Sequence, residues 1–126
     1  MILLNHEKGS AGMSLNIKVR QNGYVTVVEL SGRLTLGDAT NTLRDSVREL
    51  AKEGHNKLLL SLAGVPYIDS AGLGELIGCY TTITRRGGQF KLMGLTGRVA
   101  DLLQLTKLAT VFEIFESETI AVVSYD

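Results

Sequence analysis

The chain has 126 residues, 44% of them hydrophobic, which is enough to bury one core and leaves no room for a second domain of ordinary size. Its 13 basic and 13 acidic side chains cancel to a formal net charge of zero with no long run of either sign, so the electrostatic footprint of a nucleic-acid-binding surface is missing. No apolar run approaches the roughly 20 residues that span a bilayer, and Met1-Ile2-Leu3-Leu4 is too short for a signal-peptide core; a cytoplasmic protein with no direct membrane insertion is expected.

Residues 1–13 include Asn5, His6, Gly9, Ser10 and Gly12 without a sustained period and read as a flexible leader. One folded unit over residues 14–126 is expected to follow it. Leu15 to Arg20 alternates apolar and polar residues, Asn22-Gly23 is a hairpin signal, and Val25 to Leu30 supplies the second strand. Ser31 to Gly37 is a glycine-punctuated connection, after which Asp38 opens a helix as its cap or first-turn acid. Ala39, Leu43, Val47, Leu50 and Ala51 make the buried stripe of that helix, and Gly54 ends it. Lys57 to Leu62 is almost continuously apolar, as a central strand would be.

At Pro66-Tyr67-Ile68-Asp69-Ser70 the apolar spacing switches from strand-like to helical, so Ser70 stands where a helix begins. Two readings of Ser70 follow. Its hydroxyl can cap the helix by accepting a hydrogen bond from a first-turn amide. Alternatively it can carry a phosphate, which the helix dipole tolerates and which Asp69 opposes by like-charge repulsion. Asp69 itself either shapes that local field or bonds nearby backbone amides. In the helix that follows, Leu73, Leu76, Ile77, Tyr80 and Ile83 form an apolar stripe, whereas Ala71, Gly74 and Gly78 fall on the other side. Glycine inside a helix costs about 1 kcal/mol relative to alanine, so these small residues predict close approach by a partner or by a loop of the same chain. Cys79 reads as a packed structural thiol.

Gly87-Gly88 stops the second helix, and Gln89 to Leu95 forms a further strand. Thr96 caps a third helix with Val99, Leu102, Leu103 and Thr106 on one face. A short strand around Val111 to Phe115 follows. The segment from Ser117 to Tyr125 fits either a helix opened by Ser117 and Glu118 or a strand at Ile120 to Val123, and helix is the preferred reading. Strands alternate with helices after an opening hairpin, which predicts an α/β fold with a mixed sheet of about five strands. Catalysis has little support: the histidines are His6 in the leader and His55 beyond the first helix, and no G-x-S-x-G elbow surrounds Ser70. Metal-ligand spacing and a completed nucleotide fingerprint are also missing, so no cofactor and no metal is expected.

From about Leu15 onward the chain resembles a STAS domain, the fold of bacterial anti-sigma-factor antagonists. The resemblance rests on the hairpin leading into Ser31-Gly32-Arg33-Leu34, the strand Leu58 to Leu62, and Tyr67-Ile68-Asp69-Ser70-Ala71-Gly72-Leu73-Gly74. The Gly87-Gly88 turn and the Leu102-Leu103 helix before Val111 to Phe115 complete it, while Thr35 and Ser61 depart from the acidic residues common in the family. The resemblance implies helices packed mainly on one face of the sheet. It also implies that Ser70 is phosphorylated by an anti-sigma factor that is a serine/threonine kinase, that the unphosphorylated form captures this factor and frees sigma, and that a metal-dependent serine/threonine phosphatase reverses the modification. Such a protein is a substrate and a binding module, not an enzyme. Asp69, Ala71, Gly72, Gly74 and Gly78, with Arg33 and Asp38 from the facing loop, are then the expected partner contacts. Other STAS roles, a subunit of a signalling scaffold or of a lipid-transport complex, are the alternative, and a small-ligand sensor drawing on Thr35, Asp38 and Ser70 is a third.

Overall fold

A computed structural model describes Ile2–Leu3, Lys8–Gly9 and residues 15–126. Strands β3 (Leu15–Asn22) and β4 (Val25–Gly32) pair antiparallel, and β5 (Lys57–Gly64), β6 (Gln89–Met93) and β7 (Ile114–Phe115) add in parallel, giving a five-strand mixed sheet in the order β3-β4-β5-β6-β7. Of the segment read as a leader, β1 (Ile2–Leu3) and β2 (Lys8–Gly9) lie antiparallel against β3, with Ile2 opposite Gln21 and Lys8 opposite Ile17. The rest of residues 1–13, His6 among them, lies outside the described residues.

Side-chain alternation sorts the strand residues onto two faces. Val28 and Leu30 of β4, Leu58, Leu60 and Leu62 of β5, and Phe90 and Leu92 of β6 join the main core under helices α1 (Asp38–Lys52), α2 (Ser70–Arg85) and α3 (Gly97–Leu105). The opposite positions, Val25, Val27, Leu59 and Met93, form a smaller cluster under the short helix α4 (Glu118–Val123) through Ala121. Because β5 is covered on both faces, its run is nearly all apolar; each fully buried leucine contributes about 1.5–3 kcal/mol.

The structure refines some local expectations and decides between the alternatives left at others. The two-residue hairpin loop is Gly23-Tyr24, with Asn22 still paired to Val25, because Gly23 at φ +61° meets the positive-φ requirement of a tight hairpin. Asp38 is the first-turn acid of α1 and Gly37 takes the cap position. Only Ile114–Phe115 of the strand expected at 111–115 pairs with β6, since Leu108–Thr110 make a 3₁₀ turn just before it. The ambiguous C-terminal segment is helical: Ser117 caps α4 by accepting from the Ile120 amide.

Candidate functional site

Parallel strands β4 and β5 end side by side, and the loops that leave them pair again beyond the sheet. Leu34 and Ile68 form a bridge in which the Leu34 N–H donates to the Tyr67 carbonyl at 3.1 Å and the Asp69 N–H donates to the Leu34 carbonyl at 3.3 Å. Thr96 adds a third tie, its hydroxyl donating to the Val65 carbonyl at 3.0 Å instead of capping α3. The start of α2 is thereby fixed to two neighbouring loops.

Asp69, not Ser70, is the N-cap of α2. Its Oδ1 accepts from the Gly72 amide at 2.8 Å and its Oδ2 accepts from the Leu36 amide at 3.0 Å. The Leu36 amide first, and then the Gly72 amide, hold the Asp69 carboxyl below its ordinary value, so it stays ionised and committed to backbone donors. The correction has a physical reason: an aspartate at this position satisfies two amides at once, whereas a serine hydroxyl satisfies one. Ser70 is consequently the first residue of the helix, exposed, with its hydroxyl free of the capping duty.

Ser70, Gly74 and Gly78 recur every four residues and so share one helix face. All three are exposed. A Cβ added at Gly74 would meet nothing within 4 Å, and one at Gly78 would meet only Glu75 Oε2 at 3.5 Å. Ala71 is half-buried. Gly72 belongs elsewhere: it is buried, and a Cβ there would lie 2.3 Å from the Leu34 carbonyl oxygen and 2.6 Å from Ile68 Cγ1. Its small size serves the chain's own loop, so it is withdrawn from the expected partner contacts. Asp38 is exposed at the start of α1, two residues beyond the Leu36 amide that Asp69 holds. Arg33 is exposed and stacks over Tyr67, its guanidinium carbon 4.7 Å from the ring centroid.

Between the start of α2 and α3 lies a cleft of about 520 Å³. Ile68, Leu73, Leu102 and Leu105 give it apolar walls, and Ser70, Tyr67, Arg98 and Asp101 stand around them. Leu105, in the cleft with Ser70, is 82% exposed and Leu36, whose amide Asp69 holds, 78%, so the loop and the helix around the start of α2 each present a large apolar side chain without cover from this chain. Sequence reasoning missed Leu36, Arg98 and Leu105, because neither the α2 pattern nor the α3 pattern alone reveals that the two helix ends share a cleft. On the far side of α2, Glu75 is buried and paired with Arg44 of α1, whose Nε and Nη2 donate to Oε1 at 3.0 and 2.6 Å. His55 precedes β5 and bonds Thr26 at 3.1 Å, at the end of the strand away from Ser70, so it cannot act as a base there. Among the described residues no three His, Cys, Asp or Glu side chains converge as a metal would require.

The STAS-domain family model matches residues 16–121. The chain belongs to the STAS-domain family. A STAS relative, the anti-sigma-B factor antagonist of Bacillus subtilis, is 32% identical over 102 residues that cover 81% of this chain and 92% of that protein. In fold it is similar to the crystal structure of an anti-sigma factor antagonist from Mycobacterium paratuberculosis, with a TM-score of 0.76 at 20% identity over 89% of this chain and 94% of that one. It is also similar to an anti-sigma factor antagonist solved in its unphosphorylated form, with a TM-score of 0.72 at 17% identity over 84% and 92% of the two chains. The sheet order and helix placement described above are thus those of a STAS domain, and no helix among the described residues is long and apolar enough to cross a membrane.

Proposed function

We propose that this STAS domain is a phosphorylation-switched anti-sigma factor antagonist acting in the cytoplasm as a binding module and kinase substrate, not as a catalyst. The observation that carries the reading is Ser70, an exposed hydroxyl relieved of capping by Asp69 and set on one face with the open glycines Gly74 and Gly78. The antagonist names of its relatives support it, as do similar structures solved in unphosphorylated and phosphorylated forms. In the unphosphorylated state the Ser70 face, Leu36 and Leu105 dock against an anti-sigma factor that is also a serine/threonine kinase. The kinase then uses ATP: Ser70 Oγ bonds to the γ-phosphorus, the bond from that phosphorus to the β,γ-bridging oxygen breaks, ADP leaves, and the hydroxyl proton passes to a base of the kinase. A metal-dependent serine/threonine phosphatase hydrolyses the ester and restores the starting state.

The phosphate brings about two negative charges to a face that must lose water on docking. A penalty of roughly 3–4 kcal/mol weakens binding by two to three orders of magnitude without any refolding. The test is affinity capture from the source cell with wild-type, Ser70→Ala and Ser70→Asp baits, followed by Kd measurement on the captured ATPase. Wild type and Ala are expected to bind alike and Asp at least about a hundredfold more weakly. Equal binding by all three would instead make the chain a constitutive subunit of a scaffold or lipid-transport complex and Ser70 an ordinary surface residue.

A further inference from the structure

Tyr67 stands three residues before Ser70 and carries two guanidinium groups, Arg33 at 4.7 Å and Arg98 at 5.5 Å from its ring centroid. Such stacking steadies an arginine while leaving its N–H donors free. By contrast, Arg20 is bound by Glu118 and Glu29, and Arg44 by Glu75. Among the described residues, neither Arg33 nor Arg98 has a carboxylate within ion-pair distance. Arg98 opens the first turn of α3 and lines the same cleft as Ser70.

We propose that Arg98, steadied on Tyr67 beside Arg33, is the built-in counter-ion of a phosphate on Ser70. The proposal rests on Ser70 being the phosphoacceptor and adds how the modified state is held. A guanidinium meets phosphate oxygens through two parallel N–H donors, a stronger arrangement than either group finds in water. The charged groups around it are few: Asp69 on the same turn, Asp101 one turn further along α3, and Arg33 from the β4–α1 loop. Asp69 is engaged by the Leu36 and Gly72 amides, so Asp101 is the competitor for Arg98. Pairing draws the phosphate over the mouth of the cleft and removes a guanidinium from the docking face. Phosphorylation then closes the apolar walls as well as adding charge that must lose water on docking.

The test needs no kinase. Phosphoserine is installed at position 70 during synthesis by codon suppression in the full chain, and its second ionisation, near pH 6 for a free phosphoserine, is followed by phosphorus NMR. Arg98→Gln is expected to raise that midpoint by about half a pH unit, the size of a surface ion pair, and Asp101→Asn to lower it. Both effects should shrink in high salt. In the unsubstituted chain, the Arg98 side-chain Nε–H resonance should move when phosphatase removes the phosphate, a readout that depends on no variant. A midpoint unmoved by Arg98→Gln, or an Arg98 resonance indifferent to the phosphate, overturns the pairing. That failure leaves the kinase reading intact, whereas a kinase that ignores Ser70 would sink the switch without altering this titration.

Discussion

Gly72 and Gly74 lie two residues apart in one helix, yet alanine should act on them with opposite signs. At Gly72 a methyl group would press 2.3 Å from the Leu34 carbonyl oxygen and 2.6 Å from Ile68 Cγ1, so the loop pair that positions Asp69 must move. Overpacking of this kind costs typically 1–3 kcal/mol, more than the roughly 1 kcal/mol that alanine gains over glycine in a helix. At Gly74 nothing lies within 4 Å and only the gain remains. Urea denaturation should therefore show Gly72→Ala destabilised by about 1–2 kcal/mol and Gly74→Ala stabilised by up to about 1 kcal/mol. Equal effects at both sites would contradict the packing described. In the sequence both glycines are small residues in the first turns of an amphipathic helix and both are expected to touch a partner. The 3.6-residue period sets Gly72 on the buried stripe with Leu76, Cys79 and Ile83 and Gly74 off it, but the obstacle a methyl group would meet is the bridge between Leu34 and Ile68, a contact between loops 34 residues apart in the chain that no local period encodes. Asp69 teaches the same lesson: a serine at the strand-to-helix switch is a sound cap by propensity, and the aspartate before it wins because a second amide, from Leu36, lies within its reach.

Among the elements, α4 owes its place to polar ties more than to area. It is six residues long and buries only Ala121 completely. Arg20 Nη1 donates to Glu118 Oε2 at 2.8 Å and Asn22 Nδ2 to the same oxygen at 2.7 Å, binding the helix start to β3. At its other end Lys91 Nζ donates to the Ser124 carbonyl at 3.0 Å and the Tyr125 hydroxyl donates to the Leu58 carbonyl at 2.5 Å. The Arg20 guanidinium foremost, and then the Asn22 amide, hold the Glu118 carboxyl below its ordinary value near 4.5. A carboxyl depressed by folding stabilises above its unfolded pKa, and the contribution is lost as pH falls through the folded pKa. The protection factors of the α4 amides, corrected for the intrinsic pH dependence of exchange, should therefore decrease below about pH 4. Glu118→Gln should remove most of this pH dependence and cost about 1–2 kcal/mol of local stability at pH 7. Protection factors in α4 that stay constant from pH 7 to 3 in the unsubstituted chain would contradict the assignment. The helical reading of this segment came from Ser117 and Glu118 at its start, which are the residues that cap and anchor it. The β-branched run after them could have joined a sheet, and it is helical because Ala121, Val122 and Tyr125 cover the second face.

At the scale of the whole molecule, one sheet separates a three-helix face, whose upper end carries Ser70, from the α4 face. The order of elements was legible because each has its own period: alternation in β3, a continuous apolar run in β5, and 3.6-residue stripes in α1, α2 and α3. The cleft was not legible, since it forms only where α2 and α3 converge after the sheet has placed them. Cys79 reports on the integrity of the larger face. It is 2% exposed, and burial first, then the nearby Glu75 carboxylate, push its thiol well above the usual range. A thiol-specific reagent should label it only through global opening, with a rate that rises with urea along the unfolding limb, and Ser70→Asp should leave that rate unchanged. Rapid labelling of the native protein would show that α2 parts from α1 far more easily than its packing implies. A second consequence lies in the Asp69 clip that joins the Leu36 loop to the helix. Because that loop is already tied to the helix in the free chain, the proposed capture asks for no rearrangement of this side of the interface. On the proposed switch, a phosphate at Ser70 changes the charge and cover of that docking face without refolding the clip. On the same reading, recapture after the phosphate is removed requires no reordering of the Leu36 loop, because the Asp69 clip is already made.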